Sequence, residues 1–125
     1  ILVLGAGASG LMFASNISKK RSVGIVDINE KVAKKLKISG GGKCNITNVN
    51  MSTQNFDGDE ELLSYVLSKF SKEDLLDFLD RNRVSLELRK NRYYFCENSS
   101  DEIIELLKRG SKNAEILLNY EILSV

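Results

Sequence analysis

Gly5-Ala6-Gly7-Ala8-Ser9-Gly10 follows a short apolar run and opens a segment of helical periodicity, in the pattern G-x-G-x-x-G. That spacing can hold a diphosphate. Gly5 allows the tight turn, Gly7 removes the Cβ that would block the phosphates, and Gly10 lets helix and strand pack closely. Ala8 and Ser9 add free backbone N–H groups at the positive end of the helix dipole. Asp27 lies 22 residues after Gly5, at the end of a second apolar run. A carboxylate there can accept hydrogen bonds from ribose hydroxyls and repels a 2′-phosphate, which points to FAD or NAD rather than NADP as the tightly held adenosine.

A second glycine group, Ser39-Gly40-Gly41-Gly42-Lys43-Cys44-Asn45, has three readings. Glycine runs are often flexible connectors. A Walker A loop needs a glycine five positions before the Gly-Lys pair and Ser or Thr after it; Lys37 and Cys44 stand there, so that reading fails. The third reading is a backbone cradle. Consecutive glycines expose a row of N–H groups to an anion or a polar ring edge, Lys43 adds charge, and Asn45 donates and accepts. Cys44 is either a redox-active thiol with its pKa lowered by Lys43 or a small packed residue. The chain has no His and no metal-ligand spacing, and no catalytic acid or base can be named.

These residues need a scaffold. "ILVL" and "SVGIVDI" read as buried parallel strands, with a helix from the glycine loop between them. That is the minimal unit of a doubly wound α/β sheet. "EKVAKKLK" reads as a short basic helix, and 45–54 as a polar loop. A helix over about 59–70 buries Leu62, Leu63, Val66, Leu67 and Phe70. Ser71 caps a second helix, with Asp74 three residues on. "VSLELRKNRYYF" is a hairpin turning at Lys90-Asn91, its aromatics and Cys96 read as core. Ser99 and Glu102 form a capping box for a last helix that Gly110 stops. "AEILLNYEILSV" supplies two strand-like runs broken near Asn119-Tyr120. Nearly ninety residues separate Asp27 from the third parallel strand at Ile116–Leu118. Nicotinamide domains usually cross with one helix, so this long crossover points to FAD over NAD. The expected architecture is a Rossmann-like parallel sheet with a helical and hairpin insertion, about 50–110, between its second and third strands.

The 125 residues allow one domain with a modest core. Eighteen Lys and Arg against seventeen Asp and Glu leave no basic arm, which argues against nucleic acid as main partner. Apolar runs are too short for a membrane span, and no charged-then-apolar stretch reads as a secretion leader. Two unpaired-looking cysteines read as reduced thiols in the cytoplasm. The chain begins and ends inside apolar runs and reads as a piece of something longer.

"GAGASGLM", Asp27 and "KKLKISGGGKCNITN" together resemble the BaiN-like NAD(P)/FAD-dependent oxidoreductases, a branch of the glutathione-reductase-type flavoproteins. Family members carry Gly-Arg-Lys and then Ser-Gly-Gly-Gly-Arg-Cys-Asn-x-Thr-Asn; Ser39 to Asn48 match with Lys43 for Arg. "NRYYFCENSSDEIIELL" and "EILLNYEILSV" extend the likeness along the whole chain. Ala33 and Lys34 depart from the usual Gly-Arg, and Phe95 stands where proline is common.

The resemblance implies the N-terminal part of an FAD-binding domain over 1–125, with the remaining flavin site and a substrate domain in a longer parent. It implies Lys35 and Ser39 to Asn45 around the pyrophosphate and flavin, and the backbone of Ile122, on the family's strand, against the adenine. The expected chemistry is electron transfer from NADH or NADPH through FAD to a small-molecule acceptor. Alternatives are an NAD-binding dehydrogenase domain, or a non-catalytic flavin- or nucleotide-binding module.

Overall fold

The computed structural model describes residues 1–124. In chain order these form β1 (Leu2–Leu4), α1 (Ala8–Ile17), β2 (Gly24–Asp27), α2 (Lys34–Ile38), a 3-10 turn (Ser39–Gly42), β3 (Asn45–Asn48), a second 3-10 turn (Thr53–Asn55), α3 (Glu60–Lys69), α4 (Lys72–Arg81), β4 (Leu86–Arg89), β5 (Tyr93–Cys96), α5 (Asp101–Gly110) and β6 (Glu115–Leu118). They divide into two compact units, residues 1–44 with the stretch from Ser99 onward, and residues 45–98. The interruption between β2 and β6 that forms its own unit is therefore 45–98. The last helix, placed inside a 50–110 insertion by the sequence, belongs to the first unit.

The first unit is the Rossmann-like α/β part. Its parallel sheet has the order β1-β2-β6, with Val3, Ile25 and Ile116 in register across it. Ile25 is fully buried, together with Leu11 and Ala14 from α1. Helix α5 packs on α1 and buries Ile103, Ile104, Leu106 and Leu107, an i, i+3, i+4 stripe. Each such side chain contributes about 1.5–3 kcal/mol on burial.

Several expectations change here. The first strand is not covered on both faces: Leu2 and Leu4 are exposed by 65% and 51%. Helix α5 ends at Gly110 as expected, but packing adds a second reason for glycine there. A Cβ there would lie 2.6 Å from Ser15 Cβ, so it is glycine because α1 and α5 meet at that point. The N-cap is Ser100 rather than Ser99, whose Oγ accepts the Asp101 N–H at 3.1 Å. The second run of "AEILLNYEILSV" forms no strand over 121–124, and Val125 lies outside the described residues.

The second unit carries an antiparallel sheet of order β3-β5-β4. The polar stretch from Asn45, expected as loop, starts with β3, which pairs with β5 through a bulge between Asn45 and Thr47. Asn45 and Asn48 favour a loop, but the open edge of the β4–β5 hairpin recruits the stretch. The hairpin turns where expected, with Lys90 and Asn91 both left-handed (φ 51° and 50°) and Arg92 N–H donating to Arg89 O at 3.0 Å. Ser71 caps α4 in a reciprocal box with Asp74. Helix α3 spans the expected residues but buries none of them; Leu62, Val66 and Phe70 are exposed. Among the described residues, no helix is long and apolar enough to cross a membrane.

Candidate functional site

Ala6 is the hub of the first glycine loop. It is fully buried, its N–H donates to Asp27 Oδ2 at 2.6 Å, and its carbonyl accepts from Ala33 N–H at 2.8 Å. Gly5 continues the ladder beyond β1 by donating to Val26 O at 2.8 Å, and its φ of +104° makes the turn. Gly7 is the N-cap of α1, so Ala8, Ser9 and Gly10 are the first helical turn, whose amides have no intrahelical partner. A Cβ on Gly7 would meet nothing within 4 Å, so open space lies over the loop. At Gly10 the reverse holds: a Cβ would come 2.0 Å from Gly5 O. The first glycine motif and its acid are thus brought together directly by the chain's own hydrogen bonds.

Asp27 does more than face outward. Its Oδ1 accepts from the backbone N–H and the side-chain Nδ2 of Asn29, both at 2.8 Å. The Asn29 backbone N–H is the main reason its carboxyl is held below the usual range; burial opposes this, and Ala6 and the Asn29 side chain assist. A carboxylate has about four lone-pair directions. Three are occupied, so one remains on Oδ2 for a hydroxyl without loss of a protein bond. Sequence reasoning missed Asn29, although Asp-x-Asn at a strand end is an Asx-turn signature.

Beside this acid lies a groove of about 400 Å³ lined by Gly5, Asp27, Asn29, Tyr120 and Ile122. Ile122 is therefore near the glycine loop and acid, but it lies outside any strand and is 40% exposed.

The glycine triplet is anchored at both ends within the same unit. Ala33, bonded to Ala6, leads into α2, a helix of five residues that ends at Ile38. Ser39 donates its hydroxyl to Leu36 O at 2.9 Å and accepts Cys44 N–H at 3.0 Å. Gly40, Gly41 and Gly42 are all left-handed, with φ of 57°, 67° and 86°, a run that other residues enter only with strain. Open space lies where a Cβ of Gly41 or Gly42 would stand. Ser100 N–H donates to Gly42 O at 2.8 Å and its hydroxyl to Lys37 O at 2.9 Å. Cys44 is 1% exposed and left-handed itself, so it is a packed thiol. Lys35 is exposed on α2, and Lys43 is half-buried. Asn45, one peptide bond further on, is the first residue of β3 in the second unit. Among the described residues, no group of His, Cys, Asp or Glu gathers as metal ligands do.

A strand, an amide-bearing turn, a helix and a strand-end acid are thus joined in one hydrogen-bonded set. The family model described as HI0933-like protein Rossmann domain matches residues 1–124. The chain belongs to the HI0933-like Rossmann domain family. It is similar to the ribosomal RNA dihydrouridine synthase of Haemophilus influenzae, 27% identical over 99% of this chain and 32% of the relative. The protein of the same name in Escherichia coli is 28% identical over 99% and 32%. The 3-dehydro-bile acid delta(4,6)-reductase of Clostridium scindens is 30% identical over 91% and 29%. The chain thus spans about a third of the length of these curated relatives. Among solved structures, Thermovibrio ammonificans THI4 superposes with a TM-score of 0.57 at 15% identity, over 94% of this chain and 37% of that one. That likeness shows the HI0933-like chain's fold: a Rossmann-like α/β domain.

Proposed function

We propose that this chain is the dinucleotide-holding part, with an inserted unit, of an FAD-dependent reductase whose acceptor is a conjugated carbon–carbon double bond. The observation that carries it is the Asp27–Ala6 hydrogen bond, which fixes an amide-lined turn beneath open space and leaves one carboxylate lone pair beyond it. A Cβ on Gly7, Gly41 or Gly42 would meet nothing within 4 Å, so each glycine segment leaves room for a ligand against its backbone. Gly7, Ala8, Ser9 and Gly10 would face the diphosphate with amides, Asp27 would take a ribose hydroxyl, and Ile122 would lie along the adenine. Lys35 and Ser39 to Asn45 would hold the pyrophosphate and flavin side. Lys43 places a positive charge in that segment, which favours electron-rich states of a bound ring. When bound, FAD supplies hydride uptake from NADH or NADPH and delivery to the acceptor.

The names of the relatives share one chemistry. Dihydrouridine differs from uridine by hydrogen across one ring double bond, and a delta(4,6)-reductase also saturates ring double bonds. They differ in acceptor: a base in RNA for the relatives matched over 99% of this chain, a small molecule for the bile-acid enzyme. Both acceptor classes stand as readings of this site. We place the activity in the cytoplasm.

The full-length protein that contains this chain should purify yellow and bleach anaerobically with NADH or NADPH. Colour should return on addition of an RNA carrying the target uridine or of a conjugated enone. Yellow protein that neither nucleotide bleaches would favour a flavin-binding module. Colourless protein that binds NAD would favour a dehydrogenase domain.

A further inference from the structure

The near-neutral charge of the chain averages over a strong local imbalance. Residues 30–43 hold five lysines and one glutamate, so the remainder is net acidic. Three of these lysines, Lys31, Lys34 and Lys37, border a groove of about 460 Å³ in the first unit, where Lys108 from α5 joins them. Val32, Ile38 and Ile104 add apolar surface to its lining. Ile38 is 73% exposed, a large apolar side chain held open among cations. We infer that this groove docks single-stranded RNA, with phosphates on the lysine rim and a base against Ile38 and Val32. The inference rests on the RNA form of the acceptor above and gives that acceptor a docking surface.

Charge and shape both favour this occupant. Lys34 and Lys37, one turn apart on α2, stand about 5–6 Å apart at Cβ, within reach of the phosphates of neighbouring nucleotides. Among the described residues, Lys31 and Lys34 form no ion pair. Two acids share the lining, Glu30 and Asp101. Asp101 pairs with Lys37 at 2.6 Å, but both side chains are about half exposed. Such a pair is weak and yields its lysine to a phosphate readily. Lys108 is held at 2.7 Å by Glu105 in an equally exposed i, i+3 pair. An acidic peptide would satisfy the rim but offers no flat apolar body for the apolar lining. A nucleotide offers both.

The test uses the FAD-loaded full-length protein and a fluorescein-labelled single-stranded RNA, followed by anisotropy across a salt series. The variant Lys31→Gln/Lys34→Gln/Lys108→Gln should bind more weakly and flatten the plot of log K against log salt by about 2, at roughly 0.7 per lost phosphate contact. Lys19→Gln/Lys20→Gln, outside the groove, should leave the slope unchanged. Equal slopes in the two variants would overturn the inference. So would polyglutamate, or vesicles of anionic lipid, competing as well as unlabelled RNA of equal charge. Flavin colour and bleaching are read on every sample. A yellow, bleachable protein without groove-dependent RNA binding sinks the docking surface alone; a colourless protein that still binds RNA through the groove sinks the redox reading alone.

Discussion

Gly7 and Gly10 sit three residues apart in one loop, yet a methyl group should act on them in opposite ways. At Gly10 a Cβ would lie 2.0 Å from Gly5 O, 3.2 Å from Gly5 C and 3.2 Å from Val3 Cγ1. Relief needs roughly 1 Å of separation between the start of α1 and the end of β1. Gly5 N–H is held by Val26 O at 2.8 Å, and Ala6 is tied on both sides, so neither element moves alone. Overpacking typically costs 1–3 kcal/mol, and a clash against backbone belongs at the top, so Gly10→Ala should lose about 3 kcal/mol. For a domain of this size that is roughly 10 °C in Tm. At Gly7 a Cβ meets nothing within 4 Å and the backbone (φ −80°, ψ −171°) is ordinary for alanine. Gly7→Ala should therefore stay within about 1 kcal/mol of the parent, the stiffer unfolded chain offsetting the loss of glycine from an N-cap. Its methyl would enter the space proposed for the diphosphate, so on that reading FAD affinity should drop at least about tenfold, or 1.4 kcal/mol. Thermal unfolding with flavin content on the same samples separates the two. A Gly10→Ala protein melting within about 2 °C of the parent, or a Gly7→Ala protein retaining full FAD, would refute the reasoning.

Three other changes test the supports of the loop and the second unit. Asp27→Ala leaves the Ala6 and Asn29 donors without their acceptor and should cost about 1–3 kcal/mol. Because the folded pKa of Asp27 is depressed, its stabilisation is full above the ordinary carboxylate value near 4. It is lost as pH falls through the lower folded value, so the gap between variant and parent in urea unfolding should close there. Ala33→Gly should stabilise by about 1 kcal/mol, since Ala33 holds φ 55° where the family has glycine; a lower Tm would show that burial of its methyl outweighs the strain. Ser71→Ala removes the cap of α4 and should cost about 1 kcal/mol by denaturant titration.

Local signals carried much of this fold. The strand, glycine turn, helix, strand and acid lie within 27 residues, and each constrains the next through short-range geometry. The capping box at Ser71 and the turn at Lys90-Asn91 were legible for the same reason. What was not legible depends on distant partners. Nothing near Ser100 reveals that its hydroxyl reaches Lys37, 63 residues back. Gly110 marks the end of α5 in the sequence, but nothing near it reveals that Ser15 packs against it. Asn45–Asn48 sets the β-branched Ile46 and Thr47 between two asparagines, a mixed signal, and becomes a strand where β5 offers an edge. The amphipathic stripe on α3 promised burial, but periodicity shows which face is apolar and not whether a partner covers it. At the site, Asp27 reads from sequence as ligand-facing, while three of its four acceptor directions are internal, held by Ala6 and Asn29.

Ser100 has one more effect. It is fully buried and joins Gly42 and Lys37 by two hydrogen bonds, two residues after the second unit ends and three residues beyond Gly42 the second unit begins. Exit and re-entry of the inserted segment are thereby stitched together inside the Rossmann part. Insertions, deletions or wholesale exchange between 45 and 98 can then be absorbed downstream of the stitch, and relatives can diverge there freely while the glycine cradle keeps its shape.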